Sequence, residues 1–350
     1  MSNETLLSSN KKGFFNLDGK LGRWKEILFV FAAMMVILLV TGVRFYWMTD
    51  FMIFCILALG YVLLYGFMGH LSFGHYLYYG IGAYSAGLWI HYVYGDPLIA
   101  ILVGVGISFG FAALIGLVVT RVKGPAFPMI NMAFNQVGVF FIHSVLSEYT
   151  RGDDGLTTKP NLLFGKFWLS HDVTAFIFVL IIFLAVFAFL AVLIRSSYGT
   201  AVKSINENET RVKFLGYDTL KLKWITFVIA STIAGVAGVL YTLTQGFVTP
   251  NVMNTFNNIN VIFAILIGGG GSLYGAVFGG MIYMLIRSYV PLLILNIESA
   301  FAISIPQWEF WLGIILLVIV FTIKTGIVGI ITNAAQSRKM RIEQGSGVNV

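Results

Sequence analysis

Residues 173–194 contain no charged side chain, and this constrains the fold more than any other feature of the chain. A helix of these 22 residues is about 33 Å long, enough to cross a hydrocarbon core of roughly 30 Å. A polar loop, residues 195–223, follows directly and holds six Lys or Arg. Basic loops beside membrane spans are normally held on the cytoplasmic side. The sequence therefore predicts a span that leads into a substantial internal loop.

The composition indicates that most of the chain lies in a membrane. Hydrophobic residues make up 58% of it and charged residues 11%, and many of its 38 glycines sit inside apolar runs. Transmembrane helices tolerate such glycines because they allow close helix packing. We therefore predict an all-α integral membrane protein, a polytopic helical bundle of about ten spans with broken glycine-rich helices. The predicted spans are residues 27–43, 51–67, 76–92, 98–120, 127–146, 173–194, 224–243, 261–280, 281–295 and 310–331, with one broken helix as the alternative for the eighth and ninth.

The distribution of Lys and Arg predicts the orientation. With the N-terminus inside, 16 of the 22 basic residues face the cytoplasm. This arrangement divides the chain into a basic cytoplasmic leader (1–26), a transmembrane domain (27–331) with a cytoplasmic loop (195–223), and a cytoplasmic tail (332–350). Topology thus accounts for the net charge of +7, and we expect no nucleic-acid partner.

The internal loop contains a predicted short helix. Asn206 and Glu209 have the spacing of a capping box, and Gly216 is typical of a helix end, so the helix is expected from Glu207 to Leu215. Val212 and Leu215 are expected to share one face of it. Such a helix suits either lipid headgroups or the groove of a cytoplasmic partner. The candidate docking residues are Glu207, Glu209, Arg211, Val212, Leu215 and Gly216.

Glycine clusters mark a second candidate site. Residues 69–75 and 80–84 form one cluster, and residues 268–275 form another that includes four successive glycines. Such a run disfavours a regular helix, and irregular backbone at membrane depth is typical of the substrate sites of transporters. Close helix packing through small residues is the alternative. The candidate substrate-pathway residues are Gly74, His75, Gly82, Tyr84, Gly268, Gly269, Gly270 and Gly271.

Several functional classes lack their sequence signals. No G-x-x-x-x-G-K-[ST] phosphate loop and no nucleophile–base pair is present, so we expect no catalytic residue and no ATP hydrolysis by this chain. The histidines His70 and His75 are five residues apart and predict packing and not a metal pair, and no cofactor is expected. Every carboxylate, Asp50 included, is expected in a loop or at a span end, and Arg287 is the one possible intramembrane charge. These features predict a cargo that is neutral or zwitterionic overall.

Six blocks in order resemble a known family. They are GHLSFGH at 69–75 with GIGAY at 80–84, GDDGL at 152–156, SYGTA at 197–201, NENE at 206–209, LG at 215–216 and GGGSLYG at 269–275. Together they resemble the LivM-type permeases of bacterial ATP-binding-cassette (ABC) importers for branched-chain amino acids, a group that also includes urea and short-amide relatives.

The resemblance implies partners and a place in the cell. It implies a second homologous permease, two ATP-binding-cassette ATPases and an external substrate-binding protein, all at the bacterial inner membrane. It also implies that the loop helix couples to an ATPase, with Glu209 and Gly216 matching the family, whereas Thr210, Arg211 and Val212 replace frequent alanines. A partner groove is thereby favoured over lipid. The alternatives are a urea or short-amide importer, or a stand-alone channel or sodium-coupled carrier.

Overall fold

The computed structural model describes residues 45–158 and 172–301, together with individual residues between 310 and 329. The predicted leader, first span and tail lie outside the described residues, as does most of the tenth span. The helices are α1 (Phe45–Val62), α2 (His75–Leu88), α3 (Pro97–Val119), α4 (Ala126–Phe140), α5 (Ser147–Thr150), α6 (Asp172–Arg195), α7 (Ser197–Phe214), α8 (Thr219–Gln245), α9 (Phe256–Gly268) and α10 (Leu273–Phe301).

Short irregular elements complete the described chain. One π-helical turn follows each of α1, α2 and α4, at Leu63–Phe67, Trp89–Val93 and Phe141–Val145. Two 3₁₀ turns lie at Gly152–Asp154 and Pro250–Met253. The strands β1 (Leu156–Thr157) and β2 (Phe247–Val248) pair antiparallel, with Leu156 opposite Val248.

Several helices are long and apolar enough to cross a membrane, so the chain is an all-α, multi-pass membrane protein. Among the described residues five qualify: Phe45–Phe67, Pro97–Val119, Val173–Arg195, Thr219–Gln245 and Leu273–Leu295. A sixth qualifies if Ala126–Val145 and Ser147–Asp154, bent by 78° relative to each other, count as one broken span.

Helix α3 has the pattern of exposure expected of a helix that faces lipid. Its buried positions are mostly small, among them Ala100, Gly104 and Ser108, whereas Leu102 and Leu114 are exposed. This pattern is the reverse of that in a water-soluble protein. Small residues let helix backbones approach closely, and large apolar side chains are stable in hydrocarbon.

Helix α8 lies at the centre of the described bundle and packs against α1, α2 and α3. Glycines allow its contact with α2. A Cβ on Gly238 would lie 1.8 Å from the carbonyl oxygen of Tyr79, and one on Gly82 would lie 2.2 Å from that of Gly235. Any larger residue at either position would push the two helices apart.

The predicted boundary between the eighth and ninth spans, at residues 280 and 281, is wrong. The helix break lies earlier, between the end of α9 at Gly268 and the start of α10 at Leu273, and α10 continues unbroken through Gly279 and Gly280. Gly279 stays helical while packing closely on α9, because a Cβ there would lie 2.0 Å from the carbonyl oxygen of Ala264. Four successive glycines interrupt the helix, whereas two do not.

Candidate functional site

Most of the loop predicted at residues 195–223 folds into α7, a helix with a kink. Asn208 has φ −163° and ψ 97°, which divides α7 into two helical halves. The Asn208 Oδ1 atom accepts a hydrogen bond from the Arg211 N–H at 3.0 Å, so Asn208 caps the second half. The predicted cap at Asn206 and start at Glu207 are therefore wrong, because Asn208 makes the capping bond and the first half already contains both residues.

The second half of α7 ends at Gly216, as the sequence predicts. Gly216 has φ +85°, the left-handed conformation that glycine adopts without strain. The Tyr217 N–H donates to the Val212 carbonyl at 3.3 Å, and the Gly216 N–H donates to the Lys213 carbonyl at 3.0 Å. These two bonds form a Schellman motif, which satisfies carbonyls at the end of the helix.

Glu209 fastens this segment to the start of α8. Its carboxylate lies 2.7 Å from the Lys223 Nζ atom, accepts a hydrogen bond from the Thr219 hydroxyl at 3.1 Å, and lies 3.4 Å from the Lys213 Nζ atom. Partial burial opposes ionisation of Glu209, but the hydrogen bond and positive charge of Lys223 outweigh it and lower the pKa to about 2. Lys223 is only 2% exposed, so its ammonium depends on this partner.

The first half of α7 is held against the membrane bundle. The Lys203 Nζ atom lies 5.0 Å from the centroid of the Phe67 ring, a cation–π contact. Asn206 occupies the space beside Gly69, where a Cβ would lie 2.1 Å from the Asn206 Oδ1 atom. The loop thus contacts the residues that follow α1 and the start of α8 directly.

The far side of the segment is apolar and exposed. Phe214 is 87% exposed and Leu215 is 71% exposed, and Tyr217 and Leu220 are exposed beside them. We call these four residues the apolar patch. Val212 is 3% exposed and packs inward, so the expectation that Val212 and Leu215 share one face is wrong. Of the other candidate docking residues, Glu207 and Arg211 lie on the exposed side.

The candidate substrate-pathway residues form two clusters, one in and beside α2 and one between α9 and α10. Gly74 and His75 start α2, where a Cβ on Gly74 would lie 2.1 Å from the Asn131 carbonyl oxygen, and Gly82 and Tyr84 follow within α2. His75 is buried with its ring edge-on to that of Tyr61. These contacts fit close packing at the first cluster.

The second cluster occupies the break between α9 and α10. A Cβ on Gly268 would lie 1.8 Å from the Gly275 carbonyl oxygen, and the Gly270 carbonyl oxygen would lie 1.7 Å from a Cβ on Gly66. Gly269 has φ +102°, and a Cβ on Gly271 would meet open space. The cluster therefore combines close packing with one open position, and its pathway role remains a prediction.

A cleft of about 790 Å³ opens between α1, α2, α8 and α10, and it contains both Asp50 and Arg287. Asp50 lies within α1, because the helix already includes Phe45–Asp50 and does not start at the predicted residue 51. Asp50, expected in a loop or at a span end, thus lies inside α1 near the end of that candidate span. The sequence signal was the aromatic run Phe45, Tyr46 and Trp47, which is typical of the membrane–water interface and extends the helix past the acid.

The cleft and the apolar patch lie at opposite ends of α8. Asp50 accepts a hydrogen bond from the Gln245 Nε2 atom at 2.6 Å, at the last residue of α8, whereas Lys223 contacts Glu209 near its first residue. A helix of 27 residues is about 40 Å long. The two features thus lie toward opposite ends of a helix that is long enough to cross a membrane.

Comparison with known proteins finds relatives over most of the chain. The family described as branched-chain amino acid transport system, permease component, matches residues 43–323. The high-affinity branched-chain amino acid transport system permease protein LivM of Salmonella typhimurium is 27% identical over 261 residues, which cover 67% of this chain and 61% of the relative. The chain thus spans less than two thirds of that relative's length.

Two further relatives match a larger share of their own length. BraD of Pseudomonas aeruginosa is 25% identical over 296 residues, covering 79% of this chain and 91% of BraD. LivH of Escherichia coli is 26% identical over 254 residues, covering 65% of this chain and 79% of LivH. Both are named high-affinity branched-chain amino acid transport system permease proteins. No solved structure matches the chain significantly.

Proposed function

Because the chain belongs to the family of branched-chain amino acid transport system permease components, we propose that it is the membrane-spanning permease subunit of an ABC importer. One structural observation supports this most. An apolar patch is exposed on a segment that is itself fastened to the spans through Glu209 and Lys223. Such a patch can take up the motion of a cytoplasmic ATPase and pass it to α1 and α8. The chain is a transport subunit, and its partners hydrolyse the ATP.

The proposed assembly contains a second homologous permease, two ATP-binding-cassette ATPases and an external substrate-binding protein. The relatives named LivM and LivH are both permease proteins of branched-chain amino acid transport systems, which supports a pair of related permeases. The apolar patch supports the ATPase contact, since an amphipathic helix in a partner groove buries such a face. A stand-alone channel or sodium-coupled carrier would have no need of this segment.

We further propose about ten spans in the bacterial inner membrane, with both termini and the coupling loop in the cytoplasm. Five or six of these spans are supported by helices that are long and apolar enough among the described residues. The predicted spans at residues 27–43 and 310–331 would add two. The excess of Lys and Arg on one side supports the orientation. The cleft would then open toward the outside, where substrate arrives.

The proposed substrates are leucine, isoleucine, valine or other small apolar amino acids. The names of the relatives support this choice, and the mixture of apolar and charged residues around the cleft is consistent with it. Urea or a short amide is the second candidate. Urea and short amides are uncharged, as most residues of the predicted pathway are. They have no apolar side chain to pack against its apolar wall.

The test is import by the complete complex in lipid vesicles. ATP inside the vesicles and binding protein outside should drive uptake of labelled leucine, which excess isoleucine or valine should suppress and excess urea should not. Uptake of urea in preference to leucine would favour the second candidate. Uptake of leucine by this chain without the ATPases would contradict the ABC assignment.

A further inference from the structure

The cleft contains opposite charges that do not neutralise each other. Asp50 lies on α1 and Arg287 on α10, and the two side chains form no ion pair within 4 Å. Within the described residues the Arg287 side chain forms no ion pair with any carboxylate and makes no hydrogen bond. Burying a charged group in a membrane protein costs free energy unless an opposite charge pairs with it. Two such charges without an ion-pair partner in one cleft therefore indicate a ligand that brings an opposite charge to each of them.

Hydrogen bonds position the Asp50 carboxylate and leave one of its oxygens available to such a ligand. The Gln245 Nε2 atom donates to its Oδ1 atom at 2.6 Å, and the Tyr46 hydroxyl donates to the Gln245 Oε1 atom. This chain of hydrogen bonds fixes the carboxylate on the wall. Its Oδ2 atom has no hydrogen-bond partner among the described residues, and a cationic group in the cleft can bind there.

Tyrosines and apolar side chains form much of the wall of the cleft, and Thr249, Asn251, Asn257 and Ser288 also line it. The rings of Tyr76 and Tyr79 have centroids 5.2 Å apart, and those of Tyr79 and Tyr241 are 5.8 Å apart. Tyr241 lines the same cleft as Asp50 and Arg287. A ligand that spans the two charges therefore has its uncharged part against the tyrosines, where an apolar side chain is stabilised.

We propose that this cleft binds the backbone of a zwitterionic α-amino acid, its ammonium group at Asp50 and its carboxylate at Arg287. A guanidinium group matches a carboxylate through two parallel hydrogen bonds, and a carboxylate accepts them from an ammonium. The volume of about 790 Å³ is in the range of small-molecule sites. This inference rests on the proposed transport function and names the residues that select the substrate class.

A lipid headgroup with an ammonium and a phosphate shares this chemistry, so the test separates the two sources. The complete importer is placed in phosphatidylcholine vesicles with a photoactivatable, diazirine-bearing leucine, irradiated, and digested for mass spectrometry. We expect labels on Tyr79 or Tyr241 that excess leucine suppresses. Neither 4-methylpentanoate, which lacks the ammonium, nor leucinamide, which lacks the carboxylate, should suppress them. Exchange of phosphatidylcholine for phosphatidylethanolamine should not change the labelling, and a loss of labelling there would assign the cleft to lipid.

Charge-removing variants test the two contacts separately. Asp50→Asn and Arg287→Gln should each lower cleft labelling about tenfold, the effect of one lost charge-assisted bond. Asp50→Glu, which keeps the charge, should restore most of it and thereby exclude a folding defect. Asp154→Asn and Arg121→Gln make the same charge changes at exposed positions outside the cleft and should label normally.

The two proposals fail in distinguishable ways. Suppose that the unmodified importer takes up leucine, and that Asp50→Asn and Arg287→Gln show the same photolabelling and the same uptake. The cleft assignment is then wrong and the transport function stands. If the unmodified importer takes up no leucine at all, the proposed function itself is wrong.

Discussion

At the scale of single residues, the buried Lys223 depends on Glu209 for its neutralisation. Glu209→Gln leaves that ammonium without its carboxylate, and we expect the free energy of local opening of the second half of α7 to fall by about 2 kcal/mol. Hydrogen exchange of the amides at residues 209–217 measures this change. Adding Lys223→Met removes the unpaired cation and should recover much of the protection. Arg211→Gln, in the same segment without that contact, should exchange normally.

The pH dependence of the same contact follows from the direction of its pKa shift. The pKa of Glu209 falls from an ordinary value of 4.5 to about 2, so the stabilisation is fully present above 4.5 and lost as the pH falls through about 2. Protection of residues 209–217, corrected for intrinsic exchange, should therefore be constant between about pH 5 and about pH 8. A loss of protection between pH 8 and pH 5 would mean that another group holds the segment.

Gly216 makes a third prediction at this scale. Its φ of +85° strains any β-branched residue, although a side chain there would meet open space. Gly216→Val should therefore fray the end of α7 at a cost of about 1–2 kcal/mol and weaken binding of the ATPase subunits. Gly216→Asn is the matched control, because asparagine tolerates the left-handed conformation, and it should purify with a full complement of ATPase.

At the scale of elements, the apolar patch is expected to be the ATPase contact. Leu215→Asp places a charge in that contact, where its desolvation should cost several kcal/mol, and the variant should lose ATPase during purification while the spans remain folded. Leu215→Ala, which adds no charge, should lose less ATPase than Leu215→Asp. Thr210→Asp puts the same charge on an exposed polar position and should bind ATPase normally. Full ATPase binding by Leu215→Asp would show that the segment has another role.

The elements also show what the sequence could predict. Uncharged runs such as residues 173–194 and the Gly216 helix end were readable because hydropathy and left-handed φ are local properties. The kink at Asn208, the inward packing of Val212 and the joint position of Asp50 and Arg287 were not. The inward packing of Val212 and the joint position of Asp50 and Arg287 depend on contacts between residues far apart in the chain, such as Asp50 with Gln245. The kink has a local cap, from Asn208 to the Arg211 N–H, and was missed because Asn206 offered a similar capping pattern. The part of α1 before Phe51 was missed because it contains the charged residue Asp50.

At the scale of the whole molecule, the orientation can be tested by cysteine labelling. With Cys55 replaced by alanine, an impermeant thiol reagent added to intact cells should label Asp154→Cys and leave Thr210→Cys unlabelled. Both positions are exposed, whereas Thr158 is buried and Cys55 is inaccessible. Reversed labelling would place the coupling loop outside and remove any contact with a cytoplasmic ATPase.

The central claim is that this chain is one subunit of an ATP-driven importer, and omission of components tests it most directly. Vesicles should contain this chain, the second permease and the ATPases, with binding protein outside and ATP inside. We expect labelled leucine to accumulate above its external concentration, and to stop accumulating when ATP, the ATPases or the binding protein is left out. Equal accumulation without ATP and without the ATPases would contradict the account.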